Sequence, residues 1–427
     1  MRAILLHVDH ERERPAGARP HAGMTAEGVS GYNGVHAVAR PGPCPRRRLP
    51  GRTVSRPRSV GVRAVVWAAL VAVPVALAGP RFGFPPAVVF AAAAVALAGL
   101  TSMTGDAIEA VALAHGRRAG GLANAAFGSA TLLALSACAV YDGRLTLVKA
   151  SLTGSILTYL VLGLGLSAFL GGLRHGTQYF SREGANIAAT MMVLSVIALG
   201  VPALYGQWMP VRNSGPVESL SEAVAAVMLG VFLLSRYYHL FWDADAASAR
   251  RGARRTTVAA DTRERGAHGA GSIALRARPV AKLAAVLAAV AVVAVAMVRV
   301  APAAMATAGL NERFVGFIVV PLVSGAAVLH VGIRTAWRNR MDLSLAIIAD
   351  ASMAVVLWVA PLLVFWSLAV GHPMDLIFGP VELAAMAASA AIAALVQLDG
   401  ESNWLEGAML MAVYLLIGLA FSWWPAD

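Results

Sequence analysis

The sequence has little charge for its length. Only 14% of its 427 residues are Asp, Glu, Lys or Arg, and 58% are hydrophobic. A typical soluble domain has about a quarter charged and about half apolar residues, so an ordinary soluble globule is excluded. Segments of roughly 20 apolar residues recur, the length needed to cross a hydrocarbon core. The chain reads as an all-α polytopic membrane protein. Cysteine is scarce too: Cys44 lies in a basic tail and Cys138 inside an apolar segment. That pair excludes a disulfide framework and a CxxC metal site. The sequence also lacks a phosphate loop, a nucleophile elbow and a metalloprotease helix. An enzyme is therefore not expected, and no cofactor is implied.

Positive charge is present but concentrated. The net charge of +12 gathers in the first 63 residues, which include "PCPRRRLPGRTVSRPRSVGVR", and in residues 249–278. Neither run interleaves basic with aromatic residues as a nucleic-acid surface would, so no nucleic-acid partner is expected. Residues 1–58 are rich in Pro, Arg and Gly with little hydrophobic pattern, and are expected to be a disordered basic tail. Their first apolar run is too short, and too soon followed by charge, for a secretory signal.

About eleven candidate spans follow, each near the roughly 20 residues a bilayer requires. They cover residues 64–79, 86–103, 120–141, 145–173, 184–205, 218–241, 279–300, 312–334, 343–370, 377–398 and 404–424. Between the second and third lies the amphipathic stretch "TGDAIEAVALAHGRRAG". With the N-terminus inside, the cytoplasmic loops carry Arg117, Arg118, Arg174, Arg182, the 249–278 run, Arg334, Arg338 and Arg340; the opposite loops hold only Arg81, Arg144 and Arg212. This asymmetry predicts an inside N-terminus and an outside C-terminus in the cytoplasmic membrane.

A linker at 243–278 divides the spans after the sixth. Setting aside the first span leaves five before the linker and five after it. Odd-numbered halves run in opposite orientations, the pattern of inverted-repeat transporters. The expected divisions are 1–58, 59–242, 243–278 and 279–427. At an offset of 196, Ala130, Arg144, Leu147, Ala150, Leu166 and Phe169 match Ala326, Arg340, Leu343, Ala346, Leu362 and Phe365. The same offset sets "FGSATLLALSACAV" opposite "VPLVSGAAVLH", so both halves place small residues at one depth. Small residues permit close helix packing, and they also occur where a broken helix lines a site. Both readings stand at this point.

Several blocks resemble the calcium/proton (cation/proton) exchanger family of the cation/calcium exchanger superfamily. They include "GGLANAAFGSATLLA", "LVKASLTGSILTYLVLGLGLSAFLGGLR", "GLNERFVGFIVVPLV" and "DGESNWLEGAMLMAVYLLIGLAF". The resemblance runs from about residue 95 to 424. It implies one extra N-terminal helix plus two inverted repeats of five, and antiport of a cation, calcium in that family, against protons. The family's signatures read approximately "GNATE" and "GNAAEH", and their glutamates bind cation and protons in turn. Here the matching positions run Gly128-Ser129-Ala130-Thr131-Leu132 and Ser324-Gly325-Ala326-Ala327-Val328-Leu329. Leu132 and Val328 stand where the glutamates are expected, and Tyr159 where an asparagine is expected. Thr131 and Ser155 are kept.

Calcium takes six to eight oxygen ligands, usually with carboxylates among them, so the remaining acids matter. Asp350, in "SLAIIADASMAVVLW", lies inside the ninth span beside Ser352. An ionisable group there costs about 2.5–3.5 kcal/mol to insert, so it is either a substitute cation or proton site or a hydrogen-bonded packing residue. Glu109 and Asp106 share a helix face, as a vestibule or a solvated surface. Glu382 could line the pathway. Glu312 and Glu406 fit helix capping, and His330 an interfacial position beside Arg334. The sequence thus predicts a membrane antiporter for an inorganic cation and protons, with Ser129, Thr131, Ser155, Ser352, Asp350, Glu382 and Glu109 as pathway candidates. The alternative is a transport-inactive or substrate-altered paralogue with a structural or regulatory role.

Overall fold

The computed structural model describes residues 60–180, 190, 193, 196–205, 219–237 and 273–423. The expected basic tail, and all but the end of the linker, lie outside these residues. The described part is almost wholly helical. Nine of its helices are long and apolar enough to cross a membrane, and Val71–Phe82 and Val196–Tyr205 are shorter apolar helices. The two sets overlap the eleven expected spans one for one, several of them running past the expected ends.

In order the helices are α1 (Val60–Ala78), α2 (Pro86–His115), α3 (Arg117–Phe127), α4 (Ala130–Tyr141), α5 (Leu145–Leu157), α6 (Leu164–His175), α7 (Val196–Tyr205), α8 (Ser219–Tyr237) and α9 (Ile273–Ala308). Then come the single turn α10 (Glu312–Phe314), α11 (Val320–Ala336), α12 (Met341–Ala354), α13 (Ala360–Val370), α14 (Pro380–Leu398) and α15 (Trp404–Ser422). The amphipathic stretch after the second span is no separate element. Through His115 it belongs to α2, which is 30 residues long, with Asp106 and Glu109 exposed, and its last four residues open α3. The last six residues of the expected linker likewise belong to α9.

Three π-helical segments interrupt the long spans: Thr158–Gly163 between α5 and α6, Val315–Val319 before α11, and Val355–Val359 between α12 and α13. Two have an evident cause. Pro321 and Pro361 follow the second and third closely. A proline ring clashes with the carbonyl four residues earlier and offers no N–H to it, and a widened turn relieves both problems. The first segment has no such proline and ends on Gly163. It nevertheless falls at the 196-residue offset from the third, whose counterpart begins one residue later. The sequence repeat is thus matched by a repeated helical irregularity.

Close approaches between the halves rest on glycine. A Cβ placed on Gly154 would lie 2.2 Å from the Phe317 carbonyl oxygen, and one on Gly316 would lie 2.8 Å from the Ala150 Cβ. Phe317 O is the carbonyl that Pro321, lacking an N–H, cannot bond. α5 therefore seats its glycine against the backbone that proline has loosened. α2 and α9, also offset partners, pack along their lengths. A short antiparallel ladder pairs Gln178 with Ser402 and Tyr179 with Glu401, tying the end of α6 to the start of α15.

Candidate functional site

The third span is broken where its hydroxyls lie. α3 ends at Phe127, Gly128 and Ser129 form a turn, and α4 begins at Ala130. A Cβ on Gly128 would stand 2.6 Å from the Asn124 carbonyl oxygen, so the break needs glycine at that position. Ser129 is half-buried at the break and makes no side-chain cap. The matching span is unbroken: α11 runs straight through Ser324, Gly325 and Val328. Only the first half has a discontinuous helix at this depth.

Several hydroxyls near the break are engaged with other hydroxyls or with backbone carbonyls. Thr131 Oγ1 lies 2.8 Å from Thr101 Oγ1, which itself donates to the Leu97 carbonyl. Ser155 donates to the Ser151 carbonyl at 2.7 Å, while the Ser151 hydroxyl lies 3.2 Å from that of Ser136. Thr158 and Tyr414 place their hydroxyls 3.0 Å apart. These bonds answer why an apolar helix carries hydroxyls without a charge to serve: here they join α2, α4, α5 and α15. The cavity beside Ser136 and Ser151 measures about 10 Å³, the lower limit for a single water.

Leu132 is fully buried in the core and Val328 packs against it, on α4 and α11, which contact each other. Neither side chain has an oxygen to offer. Among the described residues, no group of three or more His, Cys, Asp or Glu side chains is placed to hold a metal ion.

Over residues 85–241 and 279–424 the chain matches the family model for sodium/calcium exchanger protein. The chain belongs to the sodium/calcium exchanger family. It is an integral membrane protein of exchanger type, a secondary transporter by kinship. A Ca(2+)/H(+) antiporter of Aphanothece halophytica is 33% identical over 369 residues, 84% of this chain and 97% of that protein. The Ca(2+)/H(+) antiporter ChaA of Bacillus subtilis (strain 168) is 31% identical, over 82% of this chain and 96% of its own length. The solved structure of native YfkE superposes with a TM-score of 0.70 at 28% identity, covering 84% of this chain and 99% of that one. The exchanger architecture expected from the sequence is therefore the one the chain has.

The acids of this family member fall in separate places. Asp350, on α12, accepts a hydrogen bond at 2.5 Å from Arg236 on α8. The guanidinium also stands 4.9 Å from the Phe232 ring centre, and Phe232 stacks on Trp358 at 5.1 Å. Asp350 is thus half of an ion pair rather than an open carboxylate. Arg236 drew no attention in the sequence, because "LLSRYYHL" reads as the charged end of a span. Ser352 is buried on the same helix as Asp350. Glu109 is exposed on α2, away from the hydroxyl network around Thr131 in which Thr101 takes part.

Glu382 accepts from the Gly379 N–H at 3.0 Å and so caps α14. It also lines a cavity of about 220 Å³ with Thr146, Lys149 and Arg313. Lys149 is paired with Asp375, and Arg144 reaches Glu312 at 3.3 Å. Glu406 and Asn403 cap α15 reciprocally. His330 is exposed on α11.

Proposed function

We propose that the chain has the architecture of a cation/proton antiporter, calcium being the cation in its relatives' names, set in the cytoplasmic membrane with its N-terminus inside. We further propose that its altered midplane makes it a substrate-altered or transport-inactive paralogue. Kinship over most of the chain supports the first statement. One observation carries the second: the side chains at 132 and 328 are leucine and valine, and the hydroxyls of Thr131, Ser136 and Ser155 are engaged by Thr101, Ser151 and the Ser151 carbonyl.

The physical reason is charge. Moving a divalent ion out of water without an opposing charge is very costly, and hydroxyls alone do not supply one. Antiport also needs a group that holds the cation in one state and a proton in the other. Leucine and valine do neither, and Asp350 already serves Arg236. A monovalent cation or a neutral solute needs less compensation than calcium. Ser129, Thr131, Ser155 and Ser352 would then be the polar lining, with Asp350 the acid on the same helix as Ser352.

The test is flux through the purified protein in liposomes carrying a pH gradient, challenged in turn with calcium, sodium, potassium and no added cation. Proton movement driven by a monovalent ion but not by calcium identifies an altered substrate. None with any ion identifies a structural or regulatory role. Rapid calcium-driven movement overturns the proposal and leaves the relatives' activity in place.

A further inference from the structure

Tyr159 lies in the first π-helical segment, one residue beyond the α5 cap, and is only 4% exposed. Its ring reaches α11 in the other half. A Cβ placed on Gly325 would lie 2.6 Å from Tyr159 Cε1, 3.3 Å from Cζ and 3.2 Å from the hydroxyl oxygen. The neighbouring residue, Ser324, is buried and donates its hydroxyl to the Pro321 carbonyl at 3.4 Å. The ring therefore occupies the place that any side chain larger than hydrogen at 325 would need.

Sequence and shape agree here. Tyrosine is among the largest side chains and glycine the smallest, and they meet across the interface between halves at the level of Val328, one turn further along α11. An aromatic ring buries about 150–250 Å² when enclosed, so seating it requires a vacancy of matching size on the facing helix. Gly325 supplies the vacancy, with Tyr159 Cε1, Cζ and the hydroxyl oxygen all within 3.3 Å of where a Cβ would stand.

We propose that Tyr159 is a plug seated in a socket formed by Gly325 and Ser324, closing the midplane to ions. The inference rests on the reading that this site is altered, and it adds the residue that shuts it. Restoring acids at 132 and 328 would then be insufficient while the ring remains. The plug makes one distinctive demand: Gly325 and Tyr159 must be coupled, because the cost of a Cβ at 325 exists only while the ring is present.

The experiment measures access directly. In a background lacking Cys44 and Cys138, Ser324→Cys is exposed to a small cationic methanethiosulfonate, with and without Tyr159→Ala. The plug predicts slow labelling with tyrosine present and labelling roughly tenfold faster or more without it, as for a group that loses its burial protection. Equal labelling in the two proteins, fast or slow, overturns the proposal. A parallel cycle guards against a misfolded variant. Gly325→Ala should lower the thermal midpoint clearly when Tyr159 is present and much less when it is alanine, whereas additive shifts contradict the socket. Neither readout uses flux. Native calcium exchange would therefore overturn the functional reading and with it the closing role of the ring, whereas equal labelling or additive shifts would overturn the plug and leave the functional reading in place.

Discussion

Asp350 and Arg236 lie 114 residues apart in sequence and meet across α12 and α8. A carboxylate inside a span is costly on its own, and an arginine fork is well suited to relieve that cost. Arg236 keeps 20% of its side-chain surface and Asp350 keeps 38%, so the pair is incompletely buried. Its net worth is accordingly modest, while stranding one partner is costly. We expect Arg236→Gln to lower the unfolding midpoint in detergent more than the Arg236→Gln/Asp350→Asn double variant does. The coupling energy should fall in the range of about 0.5–3 kcal/mol usual for contacting residues. A coupling of zero would show that the pair holds nothing together. If Asp350 instead serves as a cation or proton site, Asp350→Asn should abolish any cation-dependent proton movement and leave the midpoint nearly unchanged.

At the scale of elements, the close passage of α5 over the π-helical turn before α11 depends on Gly154. Gly154→Ala would force a Cβ onto backbone at 2.2 Å, where nothing flexible can yield. Overpacking of this kind costs about 1–3 kcal/mol or more. Gly105, mid-helix in α2, has nothing within 4 Å of its built Cβ. Gly105→Ala should be neutral or stabilising by up to about 1 kcal/mol through helix propensity. Thermal midpoints of the two variants check this, and similar shifts would contradict the packing.

Span positions were legible because apolar length is read directly from sequence, while the small residues at Gly128 and Ser129 left close packing and a broken helix equally open. "VSGAAVLH" also contains a glycine, yet α11 is continuous there, and Gly325 serves close approach to Tyr159 instead. The roles of Tyr159 and Arg236 were not legible. Each depends on a partner in a distant span, and no local pattern encodes such a pair. Glu382, read in the sequence as a residue that could line the pathway, caps α14 from three residues after Gly379 and also lines a cavity.

For the molecule as a whole, the proposed orientation rests on the uneven arginines. Single cysteines at Arg182 and within 249–278 should react with an impermeant thiol reagent only from the cytoplasmic side. Labelling of both from outside would reverse the topology and remove the charge argument for oppositely oriented halves.

The central claim is that this exchanger lacks the charge its relatives' chemistry requires. It is tested by calcium-dependent proton release from inside-out vesicles holding a preformed pH gradient. The native protein should stay at the level of empty vesicles. Leu132→Glu with Val328→Glu, joined to Tyr159→Ala, should raise release above that level, and more than the two glutamates alone. Robust calcium-dependent release by the unmodified protein would contradict the account, and would mean that Asp350 or another acid carries the exchange.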